Sequence, residues 1–175
     1  MASILKVNTI QDATNSNTAI SVDSSGRVSL PSVPAFRVGL TSSQSVTTAD
    51  ANIDIVWNDG TSSDSVNCFT QGGFSWSSGI VTVPISGVYQ FDMTLRIDSI
   101  GSSYIIGKIV KNNVHSGNDE YYSIGGSPAS DYQAVTAGGV FKCSANDTIR
   151  VTIYAENDSS YSVNNSSIFS GHFVG

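Results

Sequence analysis

The densest group of side chains able to do chemistry lies between residues 119 and 132. Asp119, Glu120 and Asp131 bring three carboxylates close together in sequence, with Tyr121, Tyr122 and Tyr132 among them. Two carboxylates at a set separation hydrolyse glycosidic bonds, one of them as general acid. Here they fall on a segment read as a long loop, with no sign of a setting that raises a carboxyl pKa. Three other readings stand for it. Hard oxygen ligands suit a calcium ion, although the spacing fits no EF-hand loop. Tyrosines with Ser and Gly neighbours suit a recognition surface, because Tyr offers large contact area at little rotamer entropy. The third is a solvated loop with partly packed rings. The recognition reading names Asp119, Glu120, Tyr121, Tyr122, Asp131 and Tyr132 as candidate ligand-binding residues, with no metal and no cofactor. Trp57 joins them. Asn58-Asp59-Gly60 after it marks a turn, where an exposed indole serves as a sugar-stacking platform. Trp76, beside Phe74, reads as core.

Nucleophilic and metal chemistry find no such cluster. Ser-His-Asp sets can be assembled from any chain this rich in Ser, but no Gly-x-Ser-x-Gly elbow surrounds a serine. Cys68 and Cys143 form no CxxC pair, and His115 and His172 stand far from zinc-ligand spacing. A disulfide and two buried free thiols are both open readings for the cysteines. Sequons begin at Asn146, Asn157, Asn164 and Asn165; with no signal peptide they read as by-products of Asn/Ser-rich loops.

Composition narrows the class. The 175 residues carry 8 Lys+Arg against 14 Asp+Glu, a net charge of −6. That leaves no basic stripe for nucleic acid. No apolar run approaches the roughly 18 residues of a membrane helix, so no membrane insertion is expected. Charged residues are only 13%, and Ser plus Thr fill roughly a quarter of the chain, far above ordinary usage.

The elements that must position these residues are strands. From 87 to 98, Tyr89, Phe91, Met93, Leu95 and Ile97 fall on one face and Gln90, Asp92, Thr94, Arg96 and Asp98 on the other. This is the pattern of a half-buried antiparallel strand. Residues 148–154 repeat it, with Ile149, Val151 and Ile153 against Arg150 and Thr152. Residues 79–84, 104–110, 133–143 and 168–174 also read as strands, and nothing reads as a good helix. The first 30 or so residues hold brief extended stretches at 3–10, 19–22 and 27–30, too poor in apolar surface to fold alone. A stiff linker, 29–34, follows. The expected division is an arm, 1–33, and a domain, 34–175.

From Pro34 onward the chain resembles the C1q/TNF-like globular domains. Pro34-Ala-Phe-Arg-Val is similar to their opening strand. Asn67, Gly73, Phe74, Gly79, Thr82, Pro84, Gly87, Tyr89 and Phe91 match their central signature. Lys111-Asn112-Asn113 is similar to a Lys-Asn-Gly turn, and Phe169-Ser170-Gly171-His172-Phe173 to a closing Phe-Ser-Gly-Phe. Val83 stands where the family often has Cys, His172 interrupts the closing motif, and no collagen stalk is present. The resemblance implies an all-β, ten-stranded antiparallel jelly roll forming a homotrimer. It puts the polar face of 87–98 on an inner sheet, and the closing strand near the threefold axis. Gln90, Asp92, Arg96, Phe169 and His172 are then candidate interface residues. Arg96 is expected to pair with a neighbour's Asp92, and His172 to meet its own copies.

The segment Ile4 to Thr14 resembles the opening of many bacteriophage tail-fibre and other virion proteins. Together the two resemblances imply a non-enzymatic virion protein, made in the bacterial cytoplasm. The arm docks on other virion proteins, and the trimeric knob of a short fibre or tip meets a host-surface glycan or protein. A chain this short has no room for a long shaft. The alternatives are a capsid decoration protein and a soluble C1q-like module that binds carbohydrate or protein.

Overall fold

The computed structural model describes residues 7–59, 68–101, 104–115, 120–126 and 132–175, with residues 120 and 122–126 described by their backbone alone. Within residues 1–33, the expected arm, β1 (Thr9–Gln11), β2 (Thr18–Val22) and β3 (Val28–Ser29) form a three-stranded antiparallel sheet. Next come β4 (Ala35–Gly39), β5 (Gln44–Val46), β6 (Ile53–Asp54), β7 (Phe69–Gln71), β8 (Ser75–Ser77) and β9 (Ile80–Thr82). The long strands follow: β10 (Gly87–Asp98), β11 (Tyr104–Lys111), β12 (Glu120–Gly126), β13 (Tyr132–Cys143) and β14 (Thr148–Ala155). The chain closes with β15 (Tyr161–Val163) and β16 (Ile168–Phe173).

Beyond the arm these strands build two sheets. Sheet one has seven strands, with β10 at its centre. Along one edge β10 pairs with β13 over its whole length, from Gly87 opposite Cys143 to Asp98 opposite Tyr132. Its other edge is shared end to end by β16 and β15, and the sheet continues through β4 to β7. Sheet two has six strands, in the order β12-β11-β14-β9-β8 with β6 also on β14. The two exceed the ten strands expected because the edges carry extra pieces of two or three residues, such as β5, β6, β7 and β15.

The core lies where the inward faces meet. Tyr89, Phe91, Met93, Leu95 and Ile97 are all buried, as the alternation requires, and so are Ile149, Val151 and Ile153 of β14. Phe36, Phe74, Phe91, Phe141 and Phe169 make tilted and edge-on ring contacts through the middle. Each such ring contributes about 1.5–3 kcal/mol by leaving water. One signature glycine has a local cause. Gly79 sits at φ 80, and a Cβ there would strike the Ile55 carbonyl, so only glycine suits the turn into β9.

Two expectations need correction, and one open reading is decided. Residues 120–126 are a strand rather than part of a long loop. The edge of β11 offers unpaired backbone groups, and β12 satisfies them from Tyr104 opposite Gly126 to Val110 opposite Glu120. Thr152, placed on a polar face, is fully buried: β11 flanks it on one side and β6 on the other, with Lys108 and Asp54 opposite it. Cys68 and Cys143 are separate free thiols, both buried. Burial, with the Asp59 carboxylate adding to it, pushes the Cys68 thiol up to about 11.

Candidate binding and assembly face

The outward face of sheet one gathers the polar residues of β10 with those of its neighbours. Side chains alternate across a strand, so residues paired in register share a face. One row runs Val140, Gln90, His172, Ala35, Gln71. The next runs Gly138, Asp92, Ser170, Arg37, Phe69. Gln90, Asp92, Arg96 and His172, named from the sequence as interface residues, therefore stand on one surface. Asp92, Arg96 and His172 are exposed in the single chain and Gln90 is half-buried.

Phe169 does not join them. The odd positions of β16 turn inward, so Phe169 is completely buried, with its ring 6.0 Å from that of Trp57 and 5.1 Å from that of Phe36. Phe169 is core, and the expectation that it lines a subunit contact is corrected. Trp57 is corrected for the same reason. It is only 1% exposed, since the bridge between Gly39 and Asp59 draws the chain after it onto the end of β4. No sugar can stack on it. Trp76, read as core, is half-buried and packs against the core's margin.

Arg96 and Asp92 find partners within the chain, whereas Arg37 Nε is buried with no hydrogen-bond partner among the described residues. The Arg96 Nε donates to Asp98 Oδ1 at 2.8 Å, and its guanidinium lies 4.6 Å from the centre of the Tyr132 ring. Asp98 also accepts from Asn164 Nδ2 at 2.6 Å. Arg96 thus has a carboxylate partner two residues away, and a neighbour's Asp92 is not needed to satisfy it. Asp92 accepts from Gln90 Nε2 at 2.9 Å. A shallow hollow of about 270 Å³ lies over Asp92, Thr94, Thr136 and Gly138. This chemistry suits contact with another surface: polar groups already oriented, flanked by exposed Phe69, Tyr132 and Val140.

The candidate ligand-binding residues of the 119–132 segment are dispersed. Tyr132 belongs to the face just described. Tyr121 packs its ring edge-on against Phe141 at 4.8 Å, and its hydroxyl donates to the Val140 carbonyl at 3.2 Å. It lies over Gly139, where a Cβ would collide with the ring, and so closes the margin between the sheets. Glu120 and Tyr122 are placed on β12 by their backbone, and Asp119 and Asp131 lie outside the described residues. Among the described residues no three His, Cys, Asp or Glu side chains stand together as metal donors.

Sequence reasoning missed the contribution of β13, β4 and β7 to this face. Ala134, Thr136, Val140, Arg37 and Phe69 arrive there only through register, which no local pattern encodes. The usable signal was Val140 and Phe69 themselves, apolar side chains that stay exposed.

The solved structure of murine APRIL at pH 5.0 matches with a TM-score of 0.60 at 15% identity, over 81% of this chain and 99% of that one. The globular domain of zebrafish complement 1qA protein matches with a TM-score of 0.55 at 16% identity, over 81% of this chain and 98% of that one. At such identities the likeness is one of fold. No curated protein matches the sequence. The C1q domain model matches residues 35–174, from the first residue of β4 to just beyond β16, with both sheets inside that span. On this match the chain belongs to the C1q domain family.

Proposed function

We propose that this chain is a non-enzymatic binding knob that assembles as a homotrimer through the outward face of sheet one. We place it on a bacteriophage virion, where residues 1–33 fasten it to other virion proteins and the knob meets a host-surface glycan or protein. The observation that carries the assembly is the face itself. Gln90, Asp92, Arg96 and His172 share it with exposed Phe69, Tyr132 and Val140. Homologues of this fold are homotrimeric and bind other proteins, and closed threefold symmetry multiplies weak contacts to a ligand. The virion assignment rests on the resemblance of residues 4–14 to virion-protein openings and on a Ser-, Thr-, Asn- and Gly-rich composition.

Light scattering on the full chain and on residues 34–175 tests the assembly. A full-chain mass of about 55 kDa, with a trimer kept after truncation, supports it; two monomers reject it. Attachment is tested by asking whether purified trimer competes with particles for adsorption to host cells. No competition, with particles that lose heat resistance when the chain is absent, assigns capsid decoration instead.

A further inference from the structure

The arm carries an apolar face that stays open among the described residues. In register, Ile10 lies opposite Ile20, Ser21 opposite Ser29 and Val22 opposite Val28. Period-2 alternation then puts Ile10, Ile20, Val22 and Val28 on one side of the sheet, with Leu30 continuing the β3 row. The other side is polar: Thr9, Ser21 and Ser29, with the two Ser hydroxyls 2.6 Å apart. Ile10, Val28 and Leu30 are exposed, Val28 by 64%. A three-stranded sheet of this size reaches stability only when such a face is covered.

We propose that the arm's apolar face packs against the same face of the other arms in the trimer, so that three sheets enclose one apolar axis beside the knob. This rests on the threefold reading above. Two observations choose copies of this chain as the occupant. First, the root of the arm is fastened to sheet one, whose outward face is the assembly surface. Phe173 N–H donates to the Pro34 carbonyl at 2.9 Å, and Gln71 Nε2 donates to the Val33 carbonyl at 3.0 Å. The Ser32 hydroxyl, two residues earlier, donates to the Thr18 carbonyl of β2 at 2.9 Å. The connection is therefore short and tied at both ends, and closure of the knob delivers three arms together at high effective concentration. Second, like copies meet without charge repulsion. The charged side chains of residues 1–33 are Lys6, Asp12, Asp23 and Arg27. Asp12, Asp23 and Arg27 stand outside β1, β2 and β3, and Asp23 and Arg27 pair with each other at 2.6 Å. A partner recognised by charge finds little to hold here.

Hydrogen exchange on the full-length protein, read together with its mass, tests this. The β2 amides of the wild-type trimer are expected to exchange about 100-fold more slowly than those of Val28→Asp or Leu30→Asp. All three proteins are expected to stay trimeric. Val28 stands beside Val22 in register and its variant also perturbs that cross-strand pair, whereas Leu30 lies past the end of β3, so Leu30→Asp isolates the effect of what covers the face. Thr9→Asp, on the polar side, is expected to keep the protection. A trimer whose β2 amides exchange equally fast in wild type and Val28→Asp overturns the inference and leaves the knob reading intact. Protection that appears only when another virion protein is added overturns it too, and gives the face to that protein. A monomeric full chain overturns both readings.

Discussion

The arm sheet and the knob follow one rule to opposite ends. In both, apolar and polar residues alternate, and each strand presents one face to each side. In the knob a second sheet stands against the apolar face, and Phe91, Leu95, Ile105 and Ile153 vanish from solvent. In the arm no second sheet lies against it among the described residues, and Ile10, Val28 and Leu30 stay exposed. Alternation therefore specifies a face but not its cover. About 25 cal/mol is gained per Å² only when something lies on it. The outward face of sheet one is intermediate, since Arg96 and Asp92 find partners within the chain while Phe69, Tyr132 and Val140 stay exposed.

Substitutions can break this three-way contrast in order of effect. Phe169→Ala removes a ring enclosed by Phe36, Phe91 and Trp57, and should destabilise the knob by about 3–5 kcal/mol. Urea unfolding of residues 34–175 reads this. Unchanged unfolding combined with loss of the trimer would return Phe169 to the interface. Val140→Asp alters a side chain that is 52% exposed in the single chain. It should leave unfolding alone and raise the trimer dissociation constant about 100-fold, which sedimentation equilibrium measures. A wild-type constant would move the contact to another face.

The third contrast is one of pH. In the folded chain burial lifts the Cys68 thiol from its ordinary 9.0 to about 11. As pH rises the unfolded chain loses this proton first, so folded-state stability should fall between pH 9 and 11. The loss from this thiol is about 1–2 kcal/mol. Cys68→Ala should flatten that part of the stability curve, and an identical slope in the variant rules the thiol out as its source. The smallest effect concerns His172, exposed on the assembly face. His172→Asp would bring three carboxylates to one axis and should weaken the trimer by a few-fold, which sedimentation equilibrium reads. An unchanged dissociation constant would place the three side chains apart.

Much of this was legible beforehand, for identifiable reasons. β10 and β14 declare themselves because one face of each is buried, which forces a clean period of two. The turn at Asn112 and Asn113 was also readable, since both residues take positive φ, which Asn tolerates. β12 was not legible, because what makes 120–126 a strand is the open edge of β11 rather than its own residues. Trp57 misled because Asn58 and Asp59, read as the start of a turn, instead bond to Gly39 and carry the indole inward. Phe169 misled because a closing strand has two faces, and only one of them can meet a neighbour.

By itself the sequence determined the class and the inward faces. Those depend on alternation and on turn residues, which are local properties of the chain. Tertiary structure alone decided which strands lie side by side, and so which residues share a surface. Pairing joins residues far apart in sequence, and a one-residue slip would send Val140, Phe69 and Tyr132 to the opposite face. The same register brought Asp98 and Tyr132 to Arg96, and left the apolar side of the arm uncovered.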